Sequence, residues 1–96
     1  MIDLKKVFER FHGEYNEFDL IENKLHSRPD ICAFLLLDKL VPGAGKYMVS
    51  DAKRDEIYLD VDCESLAAVA TEEDVQTLAR CGVRYDDDFE SLCMFV

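Results

Sequence analysis

The sequence has little glycine and proline, no tryptophan and no long hydrophobic run. It contains 4 Gly and 2 Pro among 96 residues, while 49% of its residues are hydrophobic. Disordered chains have few hydrophobic residues, so this composition predicts one folded domain over residues 1–96. The polar start at residues 1–6 is unlike a secretory signal, and no segment approaches the roughly 18 apolar residues of a membrane-spanning helix. We therefore expect an intracellular, cytoplasmic protein.

The four cysteines lack the spacing of a metal site or a redox motif. Cys32, Cys63, Cys81 and Cys93 include no C-x-x-C pair, and the two histidines add no zinc-ligand pattern. A reduced Cys within an apolar pattern behaves as a small hydrophobic residue. Cys81 follows a predicted helix, and the negative potential at a helix C-terminus disfavours the thiolate that a nucleophile needs. We predict no catalytic residue, no bound metal and no cofactor.

Basic residues are scarce in the second half of the chain. Residues 1–50 carry 8 Asp and Glu against 7 Lys and Arg, whereas residues 51–96 carry 13 against 4. The second half therefore has a net charge of −9 out of a total of −10. Such a charge repels nucleic acids and anionic membranes and attracts basic proteins. The alternative is that the acidity only keeps the protein soluble.

Helical spacing of apolar residues dominates the first half of the chain. Residues 4–11 form a short amphipathic pattern with Asp3 as a possible N-cap, and a weaker pattern runs through residues 18–25. Residues 31–37 are apolar on every side, which fits either a buried helix or a central strand. The preceding Pro29 favours the helix, because proline is tolerated in a first helical turn.

Alternation of apolar and polar residues predicts strands in the second half. After a flexible loop at residues 42–45, residues 47–49 and 57–62 predict a β-hairpin, and residues 92–96 are apolar on both faces, as in the middle of a sheet. A helix from Thr71 to Gly82 precedes that last strand. The 30 residues between Val61 and Leu92 allow a crossover to a parallel strand. The expected fold is α+β or α/β, with a three-stranded mixed sheet, a central C-terminal strand and about four helices.

Acidic residues of two segments are the candidates for a binding site. Asp60 and Asp62 would lie about 6.6 Å apart on one face of the predicted strand, together with Glu56 and Tyr58. That repeat is close to twice the axial rise of about 3.4 Å between DNA phosphates, so the face would mimic a nucleic acid. The predicted partner-binding residues are Tyr58, Asp60, Asp62, Asp86, Asp87, Asp88 and Glu90.

The same carboxylates also fit a divalent-metal site. Mg²⁺ and Ca²⁺ prefer oxygen ligands, so Asp60, Asp62 and the acidic residues 86–90 would bind such an ion or serve a small metal-dependent enzyme. The run departs from an EF-hand, because it is consecutive and lacks the Gly at position six and the Glu at position twelve. A third hypothesis is self-association through the Phe8 and Phe11 stripe or through an exposed sheet edge.

Segments of the C-terminal half resemble small bacteriophage and prophage proteins of unknown function. These segments are IYLDVD (57–62), LAAVATEED (66–74), RCGVRYD (80–86) and SLCMFV (91–96). The resemblance implies a phage or prophage accessory role and brings no fold, substrate or activity with it. The leading hypothesis is a non-enzymatic acidic module that docks a basic surface on another protein, such as a nucleic-acid-binding protein, without contacting nucleic acid or membrane itself.

Overall fold

The computed structural model describes residues 1–42 and 46–95, which form an α+β fold with four α-helices and one four-stranded sheet. Two 3₁₀ turns, His12–Glu14 and Phe18–Leu20, lie between the first two helices. Residues 43–45 of the loop predicted at 42–45 and the strand residue Val96 lie outside the described residues. The elements are α1 (Leu4–Arg10), α2 (Pro29–Leu40), β1 (Val49–Lys53), β2 (Glu56–Leu59), α3 (Cys63–Val69), α4 (Glu72–Arg80), β3 (Val83–Asp86) and β4 (Ser91–Phe95).

Helices α1 and α4 begin at the predicted caps, and α4 ends at the predicted glycine. At the start of α1, the Asp3 carboxylate accepts a hydrogen bond from the backbone N–H of Lys6, at 3.2 Å. At the start of α4, Thr71 and Asp74 exchange two hydrogen bonds in a capping box. Gly82 follows α4 with φ of +96°, a left-handed conformation that favours glycine. Both helix predictions are confirmed.

The apolar segment at residues 31–37 is helical and belongs to α2. Pro29 is the first residue of this helix, where its missing N–H leaves no hydrogen bond unmade. The weaker pattern at residues 18–25 forms only the turn Phe18–Leu20, where Glu17 makes no side-chain cap bond. In the described parts of the chain, no helix is both long and apolar enough to cross a membrane.

The sheet differs from the predicted one in strand number and direction. Its order is β1-β2-β4-β3, and each neighbouring pair is antiparallel, so the prediction of a three-stranded mixed sheet is wrong. Strand β4 lies inside the sheet, as its two apolar faces predict. The crossover through α3 and α4 does return a strand in the direction of β2, but that strand is β3, and β4 inserts between the two.

The β1–β2 hairpin is confirmed with different boundaries. Strand β1 extends to Lys53, and the turn contains only Arg54 and Asp55, with Arg54 at φ of 52°. Strand β2 ends at Leu59, because α3 begins at Cys63 and the chain must turn to enter it.

One face of the sheet packs on the helices, and the other does not. The core face carries Ile57, Leu59, Val83, Tyr85, Leu92 and Met94, which belong to or border the hydrophobic core. The open face carries Glu56, Tyr58, Arg84, Asp86 and Cys93, as the strand registers require. Phe8 of α1 is buried against Tyr85, with ring centroids 6.5 Å apart, and Phe11 is half-buried. The Phe8 part of the stripe suggested for self-association therefore packs inside the molecule.

Candidate functional site

The predicted acidic residues collect at one end of the sheet, around the β3–β4 turn. Asp86 ends β3 and pairs with Ser91 at the start of β4. Strand β2 is antiparallel to β4 and reaches the same end, so Asp60 lies there just beyond the strand. Asp62 and Glu90 line one surface depression together with Asp3 and Glu64. We call the following residues the acidic end: Asp3, Asp60, Asp62, Glu64, Asp86, Asp87, Asp88 and Glu90.

The predicted row of carboxylates along one strand is not formed. Tyr58 lies in β2, but Asp60 follows the strand and Asp62 is the N-cap of α3. The Asp62 carboxylate accepts hydrogen bonds from the Ser65 hydroxyl at 2.7 Å and from the Glu64 N–H at 3.3 Å. These hydrogen bonds lower the pKa of Asp62, and the bond from Ser65 has the largest effect. The phosphate-like spacing of 6.6 Å was therefore a wrong prediction, because capping a helix takes precedence over extending the strand.

One lysine reaches the acidic end from α1. The Lys5 ammonium lies 3.1 Å from an Asp87 carboxylate oxygen, and that hydrogen-bonded carboxylate raises the pKa of Lys5. Both side chains are largely exposed, so the pair is screened by water. Within residues 1–42 and 46–95, the other acidic-end residues form no ion pair with a basic side chain. The acidic end therefore keeps a strongly negative charge.

The Asp86 carboxylate shapes the β3–β4 turn. One of its oxygens accepts the backbone N–H groups of Asp88 and Phe89, at 2.9 and 3.2 Å, and the other accepts the Tyr58 hydroxyl at 3.3 Å. Glu90 completes the turn with φ of 49°. Asp86 thus acts chiefly as a support, and its turn presents the exposed side chains of Asp87, Asp88 and Glu90 to solvent.

The exposed aromatic residue at this end is Phe89 rather than the predicted anchor Tyr58. Tyr58 is half-buried, and burial, followed by the neighbouring Glu56 and Asp86, raises its pKa to about 12. Its ring meets the Phe89 ring edge-on at 5.5 Å between centroids. Phe89 is 60% exposed, with the Lys53 ammonium 4.9 Å from its ring centre. Phe89 is therefore the aromatic side chain that this end of the sheet exposes to solvent.

A group of neighbouring polar side chains lies in the middle of the open face. Cys93 pairs with Tyr58 and Arg84 on the neighbouring strands, is fully buried, and lies outside the main core. Glu56, Asp86 and Cys93 each offer one potential ligand atom, and these three atoms lie within 4.8 Å of one another. An Arg84 Nη2 atom lies 2.9 Å from Glu56 Oε2, although its N–H groups are not directed at that oxygen. Burial raises the pKa of the Cys93 thiol to about 11.

This group differs from the metal cluster that the sequence predicts. Within the described residues it is the only set of three potential ligands, and it includes Asp86 but neither Asp60 nor Asp62. The Arg84 guanidinium already offsets the charge of Glu56, and the Cys93 thiol is protonated at neutral pH. Among the residues that the structure describes, Asp86 is then the one carboxylate of this group that has no ion pair.

Three contributors to the open face and its end were missed by the sequence reasoning: Arg84, Phe89 and Cys93. The signal for Arg84 was present, since apolar Val83 and Tyr85 alternate with Arg84 and Asp86 in the period of a strand. No local signal distinguishes Phe89 from the acidic turn around it. Comparisons of the chain with protein-family models, with curated proteins and with solved structures find no match.

Proposed function

We propose that the protein is a non-enzymatic interaction module whose acidic end docks a basic surface on another protein. The observation that supports this proposal is that acidic side chains from separate segments of the chain lie close together. Carboxylates from the start of α1, the start of α3 and the β3–β4 turn meet at one end of the sheet, with Lys5 as the basic side chain paired to them. Opposite charge across an interface steers association and disfavours wrong partners.

The chemistry of the acidic end suits arginine and lysine side chains of a partner. Asp60, Asp88 and Glu90 are exposed, and an arginine guanidinium binds carboxylates through two parallel hydrogen bonds. Phe89 would add a cation–π contact to such a side chain. A nucleic-acid-binding protein has basic surfaces of this kind, and the proposal does not need a phosphate-like spacing. A phage or prophage accessory role in the cytoplasm is supported by the sequence resemblance alone.

A titration with fluorescein-labelled octalysine tests the proposal. We expect its affinity to fall steeply between 10 and 150 mM salt, because the Debye length shortens from about 30 to about 8 Å. In the complex, ¹H–¹⁵N NMR shifts should concentrate at residues 60–64 and 86–90. Binding that is insensitive to salt, or shifts spread evenly over the surface, would contradict docking at the acidic end and leave the acidity as an aid to solubility.

A divalent-metal site is the second candidate, because Glu56, Asp86 and Cys93 bring three ligand atoms within 4.8 Å. Two carboxylates and a thiolate suit Zn²⁺ better than Mg²⁺ or Ca²⁺. Calorimetry and thermal melts with Zn²⁺, Mg²⁺, Mn²⁺ and Ca²⁺ decide this question, with Cys93→Ser as the control. The absence of heat and of any shift in Tm at millimolar metal would remove this candidate.

A further inference from the structure

The outer edge of strand β3 borders a cavity of about 270 Å³. The cavity contacts Val83, Arg84 and Tyr85, which are consecutive residues of the strand. Side chains of consecutive strand residues point to opposite faces of a sheet. A cavity that contacts all three therefore lies along the edge of β3, in the plane of the sheet.

The opposite wall of this cavity comes from α1 and the 3₁₀ turn that follows it. Phe8, Phe11 and Tyr15 give this wall an aromatic surface, and Glu9 and His12 give it polar groups. The ion pair between Lys5 and Asp87 joins the two walls at the end that adjoins the β3–β4 turn. We call the space between residues 83–85 and this wall the edge slot.

The backbone of β3 is unpaired on the side of the edge slot. In the sheet, β3 pairs with β4 alone, and among the described residues no backbone hydrogen bond joins β3 to α1 or to the 3₁₀ turns. The outward N–H and C=O groups of an edge strand are a template for another strand. The edge slot thus combines a free hydrogen-bonding edge with a side wall.

We propose that an extended segment of the basic partner adds as a fifth strand beside β3, in the edge slot. This proposal rests on the proposed function and specifies how the partner is held. A strand added at about 4.8 Å from β3 gains main-chain hydrogen bonds, and pockets for its alternate side chains give specificity. Continued past Asp86, the added strand reaches the acidic end by separating the exposed Lys5–Asp87 pair, and its own basic side chains then take the place of Lys5.

Charge and shape set the chemistry of the segment. Lys5 is engaged by Asp87 and Arg84 by Glu56, and within the described residues Glu9 has no ion pair at the slot. The segment therefore presents apolar side chains to the aromatic wall and lysine or arginine to Glu9 and the acidic end. A second copy of this chain is disfavoured as the occupant, because each copy carries a net charge of −10.

Three synthetic peptides test the added strand. The parent peptide alternates lysine with valine and phenylalanine. Two twin peptides have the same side chains but carry N-methyl groups at alternate residues, one twin on each edge of the extended chain. Each twin therefore keeps one of the two hydrogen-bonding edges. We expect the parent to slow amide exchange at Val83–Asp86, one twin to bind as the parent does, and the other to bind about tenfold or more weakly. Equal affinity of all three peptides would overturn the proposal.

A matched pair of variants locates the binding. Phe11→Ala removes part of the slot wall and should weaken binding of the parent peptide, whereas Leu35→Ala on the exposed side of α2 should leave it unchanged. Amide shifts confined to the acidic end would overturn the slot and leave the proposed function intact. No binding at low salt would overturn both, and dimerisation through β3 in light scattering would identify a second copy as the occupant.

Discussion

The core face and the open face of the sheet belong to the same strands but are stabilised differently. On β4, Leu92 and Met94 point into the hydrophobic core, while Cys93 between them is covered by charged and hydroxyl groups of neighbouring strands. Leu92 is fully buried and Phe95 is 55% exposed. Packing therefore secures one face, whereas the polar groups of the other hold one another and remain near solvent. The proposed docking at the acidic end therefore involves exposed polar groups and not the residues of the core.

The largest expected effect lies on the core face. Leu92→Ala should lower the free energy of unfolding by about 2–5 kcal/mol, because it removes a buried side chain and leaves a cavity. Phe95→Ala on the same strand should cost about 1 kcal/mol or less, mainly through its contact with Arg84 at 4.1 Å. Urea denaturation measures both variants. Equal losses would show that the two faces are not distinct.

A smaller effect is expected at the helix that packs beneath the core face. Thr71→Ala should lower the free energy of unfolding by about 0.5–2 kcal/mol, because the N-cap hydroxyl no longer accepts the Asp74 N–H. Thr71→Ser keeps the hydroxyl and should retain most of the stability. Thermal and urea denaturation measure the stability of both variants. Equal destabilisation of the two would contradict the capping role.

The pH dependence of stability should differ between Glu14, a carboxylate held by hydrogen bonds, and Asp87, a carboxylate exposed to solvent. Gln76 and Arg80 hydrogen-bond to Glu14 and lower its pKa in the folded state. The stabilisation by Glu14 is therefore present above its unfolded pKa of about 4.3 and lost as the pH falls through its folded pKa. We expect Glu14→Gln to be less stable than the wild type at pH 7 and the difference to vanish in acid.

The control for that measurement is Asp87→Asn at the acidic end. Its ion pair with Lys5 is exposed, so it should change stability little at any pH. Urea denaturation between pH 2.5 and 7 gives both profiles. A gap between Glu14→Gln and the wild type that persisted unchanged into acid would refute the assignment.

The smallest effect concerns the reactivity of the cysteine thiols, which reports how well the open face covers Cys93. Burial raises the pKa of Cys93 to about 11 and that of Cys81 to about 12, and burial also raises the pKa of Cys63, which is only half-buried. A disulfide reagent at pH 8 should modify Cys63 first and Cys93 only when the protein opens. Cys63→Ser should abolish the fast phase. Fast reaction at Cys93 would show that the polar cover over it is loose.

Local signals predicted α1, α4 and the inner strand β4 and favoured a helix for α2, but they predicted neither α3 nor the full sheet. Caps and apolar stripes identified α1 and α4, and the two apolar faces of β4 placed it inside the sheet. The sequence does not predict strand β3, because the segment between Gly82 and the β3–β4 turn has only four residues and its alternation is correspondingly short. The sequence pattern places Asp62 in a strand, because an aspartate can continue a strand or cap a helix and the short α3 gives only a weak helical pattern.

The composition of the acidic end was predictable from the sequence, whereas its geometry was not. The Asp run at residues 86–88 is visible in the chain. Its position beside Asp60 depends on β4 pairing with both β2 and β3, which is a nonlocal property of the sheet. The edge slot likewise depends on α1, far from β3 in sequence, packing along that strand.

Two charge-matched double variants test most directly whether the acidic end is the docking surface. Asp60→Lys with Asp88→Lys changes the acidic end, and Glu22→Lys with Asp38→Lys changes exposed acids elsewhere; each pair moves the net charge from −10 to −6. Octalysine affinity at 10–150 mM salt should fall much further, with a shallower salt dependence, for the first pair than for the second. Equal losses for the two pairs would contradict docking at the acidic end, because net charge alone would then explain the binding.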